Sequence, residues 1–131
     1  GENLFYCNSG FGELNQCNID GSENIILNTL PGFTRGLAFS SNYLFVGLSK
    51  VQEGKDSYAP GLNIKKSLCG IAVLRRSDYQ LVSLLSWPKG EQIFDIQLLP
   101  NKQFCNPRFP QSRDINSSQP SLDFYNWEIN N

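Results

Sequence analysis

The sequence contains no histidine. That single absence removes the commonest general base, the usual nitrogen ligand of zinc and the histidine-based catalytic triads. Methionine is missing too, so the chain lacks an initiator and Gly1 fits the first residue of a cleavage product; a fragment or a processed product is expected. No apolar run approaches the roughly 20 residues needed to cross a bilayer, and no charged-then-apolar signal opens the chain, so a soluble protein is expected. A surplus of charge is absent as well: eleven basic residues stand against twelve acidic ones, a net charge of −1. Without a summed field to draw in a polyanion or an anionic surface, neither nucleic acid nor a membrane is an expected partner. The four cysteines, Cys7, Cys17, Cys69 and Cys105, form no C-x-x-C pair and no metal-ligand spacing. Half-buried, reduced strand residues of a cytoplasmic protein are the favoured reading.

What is present is strand and turn. A chain of 131 residues fits one domain, and a domain of this size buries roughly two-thirds of its unfolded surface. "NLFYCNSG" (Asn3 to Gly10) reads as a strand entering a turn. Asp20-Gly21 then joins strands at Leu14 to Ile19 and Asn24 to Leu30. Ser40-Ser41-Asn42 separates Gly36 to Phe39 from Tyr43 to Leu48. Val51 to Ser67 mixes charge, glycine and proline without a period and is expected to be a long loop. Order returns with Gly70 to Leu74 and Gln80 to Leu85, a strand at Ile93 to Leu99, a turn at Pro100-Asn101 and a weak strand at Gln103 to Cys105. No stretch shows a convincing helical period.

The chain also echoes itself. "LFYCNSG" lies over "LFVGLSK", "ELNQCNIDGSENIILNTLPG" over "GIAVLRRSDYQLVSLLSWPKG", and "GLAFSSNYLFV" over "DIQLLPNKQFC", so that Gly36 falls on Asp95. Each unit is a four-stranded antiparallel meander, and most of its excess over the roughly 40–50 residues of a propeller blade is the insertion 51–68. The fold class expected is therefore all-β, with about two β-propeller-like blades: a propeller-like domain over 1–106, then an irregular tail over 107–131. That tail carries Leu122, Phe124, Tyr125, Trp127 and Ile129 and is expected to dock on the body.

"LPGFTRGLAF", "LFVGLSK", "CGI" and "EQIFDIQLLP", in that order, resemble an uncharacterised bacterial and cyanobacterial family of propeller-like proteins known by domain-of-unknown-function labels. "NSGFGEL" resembles the same family's turn into its first hairpin here. The resemblance spans about Asn3 to Pro100 and implies that the chain is the C-terminal part of a propeller of several blades, a form sometimes attached to tetratricopeptide-type repeats. It implies no activity and no cofactor. It marks as rim positions Asn8, Ser9, Glu13, Thr34, Arg35, Ser49, Lys50 and Asp95.

Two blades cannot close a ring, so each end sheet leaves an edge that natural proteins cover or pair. A partner is expected, either a second copy of the chain, as a dimer or as three copies closing six blades, or the missing blades of a larger protein.

Arg35 and Lys50 fall at one end of a hairpin and with Thr34 and Ser49 make a small positive site for an anionic ligand. The competing and favoured reading pairs Arg35 with Glu13 or Asp95 as a surface ion pair. Glu53, Asp56 and Asp95 have no cation-loop spacing, and no metal site is assigned to them. Cys69 lacks a histidine to activate it and reads as structural. Lys65-Lys66 and Arg75-Arg76 read as polar loop and turn residues. Tyr58, Phe109, Tyr125 and Trp127 fall outside the strong strands and offer a sugar-stacking surface as a minor alternative. A non-catalytic binding or scaffold module is thus the preferred function. Its rival is a propeller-type hydrolase or lyase using Arg35, Lys50 and acidic residues, with or without a divalent metal.

Overall fold

Alternation of apolar and polar residues is realised as strands β1 (Asn3–Asn8), β2 (Glu13–Asn18), β3 (Ile25–Thr29), β4 (Phe33–Phe39), β5 (Tyr43–Ser49), β6 (Gly70–Arg75) and β7 (Leu81–Ser86). The computed structural model describes residues 2–99, apart from the side chain of Asp56. Three single turns of 3₁₀ helix, Ser9–Phe11, Asp56–Tyr58 and Ile64–Lys66, are the helical elements among the described residues. No helix there is long and apolar enough to cross a membrane.

The strands form two antiparallel meanders, a three-stranded sheet in the order β1-β2-β3 and a four-stranded sheet in the order β4-β5-β6-β7. The all-β antiparallel expectation is borne out, with one strand fewer in the first sheet. Leu30-Pro31-Gly32 is where one sheet gives way to the next, because β3 ends at Thr29 and Phe33 already pairs with Ser49 of β5.

Alternate residues of β5 and β6 supply the main core. Leu44, Val46 and Leu48 on β5 and Ala72 and Leu74 on β6 are buried together with Leu14 and Leu30 from the first sheet. Side chains two apart share one face of a strand, so this cluster is what one face of the second sheet presents to the first. Cys7, Leu27, Leu37, Leu68 and Tyr79 pack around it.

β4 begins three residues before the strand expected from sequence. Gly36 interrupts the apolar pattern, yet the strand passes through it as a bulge: Arg35 faces Gly47, Leu37 faces Val46, and Gly36 sits at φ +67°. Glycine takes that left-handed conformation without the Cβ clash other residues meet.

The expected strand at Ile93 to Leu99 is not formed among the described residues. Ile93 is tied to Ser49, whose Oγ accepts from its N–H at 2.9 Å and donates to its carbonyl at 3.0 Å. Asp95 lies so close to Gly36 that a Cβ on the glycine would stand 2.8 Å from the Asp95 Cα. The path is thus fixed by contacts with β4 and β5 and not by a ladder. The expected partner strand, Gln103 to Cys105, the turn at Pro100-Asn101 and the tail 107–131 lie outside the described residues.

The insertion has its own small core. Val51 and Ala59 are buried with Phe33, and Leu62 and Ile64 pack against them. Two backbone ties hold it to the body, Gly61 N–H to Gly10 O and Leu68 N–H to Pro31 O, and within it Val51 N–H donates to Ser67 Oγ. A segment without periodicity still orders here, because its scattered apolar residues meet a single aromatic ring on the adjacent strand.

Candidate functional site

Phe33 and Arg35 are two residues apart on β4 and share a face. Antiparallel pairing sets Ser49 opposite Phe33, which brings Lys50 to the same end of the hairpin. The insertion leaves the sheet at this point and folds back, so Val51, Gln52, Lys55 and Tyr58 join Phe33, Arg35, Ser49, Lys50 and Gln92 around a cavity of about 210 Å³.

Arg35 is held on three sides. Its Nη2 donates to Tyr58 Oη at 2.8 Å. Its guanidinium carbon lies 5.0 Å from the Phe33 ring centroid and 5.3 Å from that of Phe94, each within the reach of a cation–π contact. Phe33 and Tyr58 stack on each other with centroids 4.8 Å apart and planes 5° from parallel. Lys50 is anchored by Nζ donating to Pro88 O at 2.8 Å and by its backbone N–H donating to Glu91 O. Lys55 is exposed and lines the same cavity. Three cations therefore line the cavity, and no carboxylate is among the described lining side chains.

The favoured ion pair of Arg35 with Glu13 or Asp95 does not form. Among the described residues the salt bridge within 4.0 Å is Arg75 to Asp78, at the far tip of the second sheet. Glu13 Oε2 instead accepts from Asn8 Nδ2 at 2.7 Å and from Asn15 Nδ2 at 3.4 Å. Asp95 is exposed, and its Oδ1 accepts from Ile96 N–H.

The eight rim positions thus divide. Arg35, Ser49 and Lys50 meet in the cavity. Asn8, Ser9, Glu13 and Thr34 lie where the two sheets join: Thr34 is fully buried, donates from Oγ1 to Glu13 O, and offers its own carbonyl to Ser9 Oγ at 2.7 Å. Asp95 stands beside Gly36 and does not line the cavity. Lys55, Gln52 and Gln92 were not legible as site residues, since nothing in a loop without a period says which of its side chains returns to the sheet. Tyr58 stood out as an aromatic residue off the strands, but its partner is Arg35, and the aromatic residues grouped with it lie outside the described residues.

A second hollow lies at the opposite end of β5, lined by Ser41, Asn42, Tyr43, Arg75, Arg76 and Ser77. Its cations are engaged already: Arg75 with Asp78 at 2.7 Å, and Arg76 with Ser40 O and, at 5.9 Å, the Phe39 ring. No three His, Cys, Asp or Glu side chains among the described residues converge as a metal site.

Cys7, Cys17 and Cys69 are free thiols. Burial pushes the Cys7 thiol up, opposed by a hydrogen bond with Thr34. Burial likewise pushes up Cys69, with Lys50 pulling it down and Glu91 adding to the rise. A thiol raised in the folded state keeps its proton after the unfolded one has lost it, so both contribute stability that is intact below about pH 9 and lost as pH rises beyond it. We expect a fall in thermal midpoint that begins above that pH and is smaller in Cys7→Ser than in the native chain; an unchanged alkaline slope in Cys7→Ser would refute its part in it.

The profile of the family described as Domain of unknown function (DUF4915) matches residues 1–107. No curated protein and no solved structure matches the chain.

Proposed function

The chain belongs to the DUF4915 family, and from that premise we propose that it is a non-catalytic binding or scaffold module of propeller type. In this reading β4–β7 is a whole blade, β1–β3 is a blade short of its first strand, and residues 93–99 begin the next. The observation that carries the reading is one contact made twice. Ser9 Oγ donates to Thr34 O at 2.7 Å, and Ser49 Oγ donates to Ile93 O at 3.0 Å. In the internal echo Ser9 falls on Ser49, and Thr34 and Ile93 each stand two residues before the matched pair Gly36 and Asp95, so corresponding residues bind each new blade to the one before it.

Partnering follows from the edges. β1 and β3 border the first sheet, and β4 and β7 border the second. On β7, Leu81, Val82 and Leu84 are all exposed, and an edge strand of this kind is a template for another strand or sheet. A second copy, or the missing blades of a larger propeller, answers that need. The alternative, a propeller-type hydrolase or lyase with a polar rim site, would use Arg35 and Lys50 together with an acidic residue.

Light scattering across a concentration series tests the reading. A dimer or trimer that dissociates on dilution is expected, together with a thermal midpoint that rises with concentration. A monomer at every concentration that unfolds in one cooperative, concentration-independent transition would remove the need for a partner.

A further inference from the structure

We propose that the cavity between β4 and the insertion binds the phosphoryl group of a small phosphate monoester, whose organic part lies along the exposed ring of Tyr58. The inference goes beyond the propeller reading and does not depend on ring closure.

Charge sets the ligand class. Arg35, Lys50 and Lys55 line one hollow without a described carboxylate to offset them. A carboxylate ligand supplies one negative charge, whereas a phosphate monoester carries roughly −1.5 to −2 at neutral pH and three strong acceptor oxygens. The phosphoryl group is the better match to three cations. Size agrees: about 210 Å³ is below the roughly 300–1,000 Å³ of sites that enclose drug-sized ligands, so a headgroup enters and the remainder stays at the mouth.

Geometry sets the roles. The guanidinium of Arg35 is fixed by Tyr58 Oη and by the Phe33 and Phe94 rings before any ligand arrives. One Nη donates to Tyr58, and the fork has further N–H donors suited to two phosphate oxygens. Lys50 spends one proton on Pro88 O and keeps two. Lys55, exposed and on the same lining, adds a third positive charge. Gln52 and Gln92 add neutral amide donors on the lining. Tyr58 is 54% exposed with one face covered by Phe33, which leaves ring surface for a planar substituent. Ser49 Oγ is engaged with both backbone groups of Ile93, so no hydroxyl is assigned to attack phosphorus, and the site is one of binding.

Calorimetric titration of the full chain with phenyl phosphate and, separately, with benzoate tests this. Phenyl phosphate is expected to bind roughly tenfold or more tightly than benzoate, and its affinity to fall with added salt. Lys55→Gln, an exposed change that leaves both cores untouched, is expected to weaken phenyl phosphate several-fold; Arg35→Lys, which keeps the charge and loses the planar fork, to weaken it roughly tenfold. Absence of heat and of chemical-shift change at millimolar phenyl phosphate would overturn the proposal. So would equal affinity for benzoate, or a Lys55→Gln protein that binds phenyl phosphate as the native chain does.

Discussion

Gly36→Ala is expected to destabilise the domain by about 2–4 kcal/mol, the sum of left-handed backbone strain and overpacking. At φ +67° an alanine is strained wherever it sits. Here its Cβ would also stand 2.8 Å from Asp95 Cα and 3.0 Å from Ile96 N, both backbone atoms that no side-chain rotation can withdraw. The segment after β7 must move, and Ser49 with Ile93 resists that motion through two hydrogen bonds. Gly21 provides the control: its φ is +83°, and a Cβ there meets nothing within 4 Å. Gly21→Ala should therefore show the strain alone, about 1–2 kcal/mol. Urea unfolding with an unchanged m-value reads both. Equal losses at the two positions would mean that the approach of residues 95 and 96 to β4 contributes nothing.

The same glycine shows how much the sequence makes legible. β5 was readable because Leu44, Val46 and Leu48 alternate with outward residues and a polar turn precedes them, which is the period that a half-buried strand imposes. β4 was readable only from Gly36 onward, because a lone glycine in an apolar run looks like a boundary, whereas a bulge carries the strand through it. Ile93 to Leu99 has strand composition but lacks a described ladder partner, and composition cannot report whether a neighbour is in place. The cavity was half legible. Antiparallel register brings Arg35, Ser49 and Lys50 to one hairpin end whatever surrounds them. Lys55 was hidden, and Tyr58 was marked as an aromatic residue without its place beside Arg35, since the return of both to β4 depends on Val51, Ala59, Leu62 and Ile64 finding Phe33. The ion pair favoured for Arg35 failed for a related reason: the acids nearby in sequence logic are spent elsewhere, Glu13 on Asn8 and Asn15.

Phe33→Ala is expected to cost about 3–4 kcal/mol, in the range for removing a buried aromatic side chain. Its signature should be local. Phe33 is 8% exposed and belongs to the smaller cluster with Val51 and Ala59, whereas Leu44, Val46, Leu48, Ala72 and Leu74 form the main core without it. Alanine removes the ring on which Tyr58 stacks and over which Arg35 lies, and leaves the insertion to its backbone ties to Gly10 and Pro31 and the hydrogen bond from Arg35 to Tyr58. Hydrogen exchange should therefore accelerate across residues 51–68 while β5 and β6 stay protected, since regions of low contact density open independently of the core. Tyr58→Ala is the graded comparison, forfeiting a stacking contact of about 1 kcal/mol and leaving the cluster intact. Equal acceleration in β5 and β6 would show that the two clusters open as one unit. Local opening would instead mean that the cavity exists only while the insertion is folded. Phenyl phosphate binding should then vanish in Phe33→Ala although Arg35, Lys50 and Lys55 are all still present, because the loosened insertion no longer holds Lys55 and Tyr58 against Arg35 on β4 and Lys50 at the end of β5.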